Sequence, residues 1–152
     1  MSNKIFIVED NRFYGVLLKN EIEKSNLGDV EIFPSGELFL NNMNRNPQIV
    51  ILDHHLGTTK GLDLLKQVKT AYPKVEFILL SAQESMSVAV QSLKFGAYDY
   101  VEKNKRAFGK VNYLIKKIQF ELAEKRNERI QRYLRYIGFG IALLILLVWL
   151  LS

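Results

Sequence analysis

Gln48-Ile49-Val50-Ile51-Leu52-Asp53 is the stretch that most narrows what this chain can fold into. Four aliphatic residues in succession leave no polar face, so a strand built from them must be covered on both sides, as in a parallel sheet between helices. Pro47 bounds the run before, and Gly57-Thr58-Thr59 after. The run ends on a carboxylate, and open α/β sheets place their ligand sites at that end of their strands. Lys4-Ile5-Phe6-Ile7-Val8 is a second run of the same kind, and it ends on Glu9-Asp10. Three acids are thereby directed to one sheet edge.

Between and beyond these two runs, strands alternate with helices. Asn11 caps a helix over 12–25 whose apolar residues are Phe13, Val16, Leu17 and Ile22, and Gly28 ends it. Residues 30–33 are the second strand. Pro34-Ser35 opens a helix over 36–44 with Leu38, Phe39 and Met43 inward. The third strand, 48–53, is followed by a Gly- and Thr-containing loop and a helix over 61–72 that Pro73 closes. Residues 75–80 form strand four, Ser81-Ala82-Gln83 a turn, 85–95 a helix stopped by Gly96, and 97–101 strand five, followed by Glu102-Lys103-Asn104. Strands joined through helices require a parallel sheet with right-handed crossovers. The expected fold is a flavodoxin-like doubly wound five-stranded sheet in the order 2-1-3-4-5.

The charge is not spread evenly over the 152 residues. Residues 1–103 hold 11 Lys+Arg and 13 Asp+Glu, whereas residues 104–152 hold 10 and 3. The basic balance thus belongs to the tail, next to an apolar segment, which suggests an anionic membrane surface rather than nucleic acid. There is no cysteine, which fits a reducing compartment and rules out a disulfide framework. Met1-Ser2-Asn3-Lys4 leads directly into the first strand, so no signal peptide is expected.

In the last helix Phe108, Val111, Ile115, Ile118 and Leu122 recur at three-and-four spacing, a stripe that can lie on the sheet. The stripe fails at Glu124-Lys125-Arg126-Asn127-Glu128-Arg129, where Glu121/Lys125 and Glu128/Arg132 can hold a solvated helix by i,i+4 pairing. Ile137 to Leu151 then contains no charge and is apolar all round. As a helix it spans about 22 Å. Tyr133, Leu134 and Tyr136, with Arg132 and Arg135 snorkelling, extend it toward the roughly 30 Å hydrocarbon core. Tyr133 and Tyr136 at one end and Trp149 at the other are placed like an aromatic belt. The expected organisation is a domain over 1–122, a basic helical stem over 123–136 and a C-terminal transmembrane anchor over 137–152.

Val8-Glu9-Asp10, Asp53 with Gly61 eight residues on, Ser81-Ala82, and Phe95-Gly96-Ala97-Tyr98-Asp99-Tyr100-Val101-Glu102-Lys103 together resemble the response-regulator receiver domain (the CheY-like family) over about residues 3–122. The resemblance implies that Asp53 is the phosphoacceptor. It implies Mg²⁺ held by Glu9, Asp10, Asp53 and the backbone carbonyl of His55. Ser81 and Lys103 would bind the phosphoryl group, and Tyr100 would be the aromatic that turns inward when Ser81 moves. His55 and Gln83 would tune the lifetime of the phosphorylated state. The types suit the chemistry, because phosphoryl transfer is mostly positioning and charge neutralisation and Mg²⁺ is a hard cation that wants oxygen. Two positions depart from the family: Leu56-Gly57 stands where Met-Pro is usual, and Asn104 where a Pro usually follows the Lys, often through a cis bond. A cis bond before Asn104 would cost about 3–4 kcal/mol.

The reading that follows is a membrane-tethered single-domain response regulator of a two-component phosphorelay. It is a phosphoacceptor rather than an enzyme, served by a sensor histidine kinase or a histidine phosphotransfer protein. It signals through the face of helix four, strand five and helix five, and forms a phosphorylation-dependent homodimer. The expected location is the inner (cytoplasmic) membrane, single-pass, with the receiver in the cytoplasm, since the basic residues precede the apolar segment. No nucleic-acid partner and no separate output domain are expected. The alternative class is a receiver-fold scaffold that works without phosphorylation. Asp53-His54-His55 also resembles the signature of DHH-type phosphoesterases, but His54 and His55 are the chain's two histidines and that family needs more. Both are expected to be solvated loop residues.

Overall fold

The computed structural model describes residues 3–82 and 85–151. Five parallel strands form the main sheet: β1 (Lys4–Val8), β2 (Asp29–Phe33), β3 (Ile49–Asp53), β6 (Glu76–Ser81) and β7 (Asp99–Glu102), in the order β2-β1-β3-β6-β7. Two short strands, β4 (His55–Leu56) and β5 (Thr59–Lys60), lie outside it. Counted along the chain, the main sheet has the expected order 2-1-3-4-5. The helices are α1 (Arg12–Lys24), α2 (Gly36–Asn41), α3 (Gly61–Ala71), α4 (Met86–Lys94) and α5 (Ala107–Leu151).

β3 is buried at every residue, as its unbroken apolar run demands. On one side of the sheet Phe6, Val50, Phe77 and Leu79 meet Phe39 of α2 and Leu64, Leu65 and Val68 of α3. Phe6 and Phe33 lie 4.6 Å apart between ring centroids, and Phe39 stands edge-on to Phe77 at 6.4 Å. Alternation along the strands sends Ile5, Ile7, Ile49, Ile51, Ile78 and Leu80 to the other side, and all are fully buried. The buried residues of α1 are Gly15, Leu18 and Ile22.

Two expected caps are present. Asn11 Oδ1 accepts from the Tyr14 amide at 3.1 Å, and Ser35 Oγ from the Leu38 amide at 3.3 Å. Other expectations are corrected. Leu38 is 47% exposed rather than inward, because the Ser35 cap phases the short α2 so that Gly36 and Phe39 face the core. α2 ends at Asn41, and a 3₁₀ turn, Met43–Arg45, completes the segment with Met43 buried. The apolar Phe13, Val16 and Leu17 of α1 are exposed. The loop after Asp53 is a small antiparallel hairpin in which β4 pairs with β5. Gly57 turns that hairpin at φ +59°, a backbone that glycine adopts without strain.

The chain divides into two compact units, Met1–Lys116 and Lys117–Ser152. In the first, Val111, Leu114 and Ile115 of α5 are buried. In the second, Ile118 is buried, Leu122 half-buried, and every residue from Glu124 to Leu151 exposed. Among the described residues one helix, α5, is long and apolar enough to cross a membrane by length and composition.

Candidate functional site

The sheet delivers its acids, a hydroxyl and a lysine to one edge because each sits at or just past the C-terminal end of a strand. The Glu9 amide donates to the Phe33 carbonyl at 3.0 Å, carrying the β1–β2 ladder one residue past β1 and fixing where Glu9 stands. Asp53 closes β3 opposite Leu80, and Ser81 closes β6 opposite Glu102. The Lys103 amide donates to the Ser81 carbonyl at 2.7 Å, so the ladder next to β6 reaches Lys103 itself. The described residues contain no cis peptide bond, so the Lys103–Asn104 bond is trans, and Lys103 reaches the acids from it. Gly61 is required by this arrangement: a Cβ there would lie 2.2 Å from the Asp53 carbonyl oxygen. Its amide donates to the His54 carbonyl at 2.8 Å, which closes the hairpin loop back onto the end of β3.

Lys103 Nζ lies 2.6 Å from Glu9 Oε2 and 2.8 Å from Asp53 Oδ2. Glu9 and Asp53 are almost completely buried, and the Lys103 side chain is only 13% exposed. Buried carboxylates side by side are tolerable only when a cation compensates them, and Lys103 is that cation. Burial nevertheless pushes the Glu9 carboxyl up to about 7; its hydrogen bond from Lys103 opposes this, and the Asp53 charge adds to it. The second Glu9 oxygen accepts from the Asn11 amide at 3.2 Å, and Asp53 Oδ1 accepts from the His55 amide at 3.3 Å. The Tyr14 ring covers the ammonium, its centroid 4.7 Å from Nζ. Burial, then the Glu9 and Asp53 charges, push the Tyr14 hydroxyl up to about 12, so the phenol is neutral at ordinary pH.

One oxygen each from Glu9, Asp10 and Asp53 lie within 4.8 Å of one another. Asp10 is the exposed member, and its Oδ2 accepts from the Gly57 amide at 3.0 Å. A donor set of carboxylate oxygens alone, with one member open to solvent, fits Mg²⁺, which takes one or two carboxylates and keeps waters and phosphate oxygens in its remaining positions.

The expected site residues thus fall into three groups. Glu9, Asp10, Asp53 and Lys103 converge, with the His55 amide on Asp53. Ser81 is buried at the same edge; Tyr100 is half-buried and packs against the core beside Leu79 of β6. Gln83 lies outside the described residues. The histidines require a correction. His55 is exposed, but His54 is buried and its amide donates to the Leu80 carbonyl at 2.8 Å, because it continues the β3–β6 ladder past Asp53. The rings meet edge-on at 4.4 Å, and burial followed by the neighbouring His55 holds the His54 imidazole below its ordinary value. Two participants escaped the sequence reading: Tyr14 and the Gly57 amide. The signal for Tyr14 was its place at the third position after the Asn11 cap, one turn beyond the acids.

The family model described as "Response regulator receiver domain" matches residues 5–119. Among curated proteins, the transcriptional regulatory protein CssR of Bacillus subtilis is 33% identical over 103 residues, 68% of this chain and 45% of its own length. The luminescence regulatory protein LuxO of Vibrio campbellii is 29% identical over 136 residues, 87% of this chain and 30% of its own. The chain therefore spans less than half the length of these relatives. Among solved structures, the BeF3-activated DrrB receiver domain superposes with a TM-score of 0.71 at 26% identity, covering 78% of this chain and 98% of that one. The Thermotoga maritima response regulator DrrB gives 0.72 at 26% identity, covering 80% of this chain and 54% of that one.

Proposed function

This chain belongs to the response regulator receiver family, and we propose that it is a membrane-tethered, single-domain member that accepts a phosphoryl group on Asp53. Receiver domains are generally phosphoacceptors rather than enzymes, and histidine kinases or phosphotransfer proteins phosphorylate them. The observation that carries the reading is Lys103 Nζ within 2.8 Å of both Glu9 and Asp53, at the edge where the three carboxylates converge.

A carboxylate oxygen of Asp53 attacks the phosphorus of a phosphohistidine donor. The P–O bond forms as the P–N bond breaks, and the donor's imidazole departs after taking up a proton. Glu9, Asp10, Asp53 and the His55 carbonyl would hold Mg²⁺, which would supply positive charge against the phosphoryl oxygens. Lys103 offsets a further oxygen, and the Ser81 hydroxyl donates to another. Tyr100 follows Ser81 inward, while His55 and Gln83 set how readily water reaches the acyl phosphate.

The output surface is the face of α4, β7 and the start of α5. Exposed Met86, Val90 and Leu93 on α4 support this, as does a shallow cavity of about 310 Å³ lined by Tyr100, Glu102, Asn104, Arg106 and Lys110. Two phosphorylated copies pair through it. Residues 1–122 form the receiver, 123–136 the basic stem and 137–152 a single-pass anchor in the cytoplasmic membrane. The uncharged run from Ile137 to Leu151 supports the anchor, and the seven cations from Lys116 to Arg135 support a cytoplasmic receiver. Intact-mass measurement with acetyl phosphate and Mg²⁺ tests the acceptor: one phosphate is gained, and Asp53→Asn gains none. A receiver-fold scaffold that works without phosphorylation would gain none in either form.

A further inference from the structure

We propose that the ring of Tyr14 positions the Lys103 ammonium across Glu9 and Asp53, which makes Tyr14 a positioning residue for phosphoryl transfer at Asp53. The inference rests on the reading of Asp53 as the acceptor. A lysine carries its charge on a flexible four-carbon stem, so something must hold it where it is needed. Two of its three donors are spent on Glu9 and Asp53, at 2.6 and 2.8 Å. The Tyr14 ring lies 4.7 Å from Nζ, inside the range over which an aromatic face attracts a cation. With the Lys103 side chain only 13% exposed, that attraction is little screened by water.

The ring is itself held. Its amide is bound by the Asn11 cap at 3.1 Å, and the ring stands edge-on to Phe108 with centroids 5.3 Å apart and planes at 69°. Its hydroxyl is buried and has no hydrogen-bond partner among the described residues. A buried tyrosine hydroxyl normally finds a partner. Tyr14 is therefore not kept in place by its polar end, and the interaction that uses it is the one made by its face. An aliphatic side chain of similar size packs against Phe108 but offers no such face.

The test uses the full-length protein in detergent. Acetyl phosphate and Mg²⁺ are applied to wild type, Tyr14→Phe, Tyr14→Leu, Lys103→Met and the Tyr14→Leu/Lys103→Met double variant. Tyr14→Phe keeps the phosphorylation rate within about twofold, and Tyr14→Leu lowers it about tenfold. In the Lys103→Met background Tyr14→Leu lowers it no further. A second readout needs neither phosphate nor a variant: the Lys103 ε-methylene resonances lie upfield of those of Lys105 and Lys110, displaced by the ring current. An unshifted Lys103 ε-methylene, a Tyr14→Leu rate equal to wild type, or an equal loss with and without Lys103 each overturns the inference. If wild type takes no phosphate on Asp53, the acceptor reading fails, while the resonance still decides where Tyr14 holds Lys103.

Discussion

The two units of this chain use the same side-chain types in opposite ways. In residues 3–116 the apolar side chains of the central strands and of the helix faces turned to them are covered, and the charges that are buried with them, Glu9, Asp53 and Lys103, are buried as one compensated group. In residues 124–151 nothing is covered, and aliphatic residues such as Leu144 and Leu147 are exposed, as are the arginines that precede them. A single helix, α5, contains both patterns: Val111 and Ile115 at three-and-four spacing are buried, and the run after Ile137 has no polar face to set against an apolar one. Apolar content alone therefore says little about stability; what matters is what medium covers it.

Identical substitutions in the two units break or sharpen this contrast. Val111→Asp places an unpaired charge at a fully buried position and should cost about 4 kcal/mol in denaturant unfolding of the receiver. Leu144→Asp should leave that unfolding unmoved and, on the proposed anchor, shift full-length protein from membrane to soluble fractions, and deletion of 137–152 should do so more completely. Equal unfolding effects for the two would dissolve the distinction. Gly61→Ala is next: its Cβ would meet the Asp53 carbonyl, and overpacking of this kind costs about 3 kcal/mol. At Gly138 nothing lies within 4 Å of an added Cβ, and the same change should leave receiver unfolding untouched.

A smaller effect is a dependence on pH. The folded Glu9 carboxyl titrates near 7 and its ordinary value is 4.5, so between these the folded protein keeps a proton that the unfolded chain has lost. Its contribution is fully present below 4.5 and is lost as pH rises through 7. Denaturant midpoints of the metal-free receiver should fall across that window, and Glu9→Gln should flatten the fall. Smallest of all is Arg45→Ala. The Arg45 fork on Glu31 is a partly exposed surface pair, worth about 0.2–1 kcal/mol, and calorimetry should register no more than that.

The strands and their order were legible because an unbroken aliphatic run such as Ile49–Leu52 has one way to be satisfied, and the acids were legible because they end such runs. The β4–β5 hairpin was not, since its strands are two residues each and carry no periodicity. Leu38 and Phe39 are equally apolar, and only the phase imposed by the Ser35 cap separates exposed from buried. His54 looked like a loop residue because its burial comes from continuing the β3–β6 ladder, a property of register rather than of residue type. Tyr14 offered only its place three residues past the Asn11 cap, because its role depends on where the Lys103 side chain lands, about ninety residues further along the chain.

Borohydride trapping tests the central claim most directly, because hydride reduces an aspartyl phosphate to homoserine and leaves an unmodified carboxylate alone. Full-length protein treated with acetyl phosphate and Mg²⁺, then reduced and digested, should yield homoserine at position 53 and at no other acid. Homoserine at Asp10, phosphate retained on His54 or His55 instead, or an unchanged residue 53 would contradict the assignment of Asp53 as the phosphoacceptor.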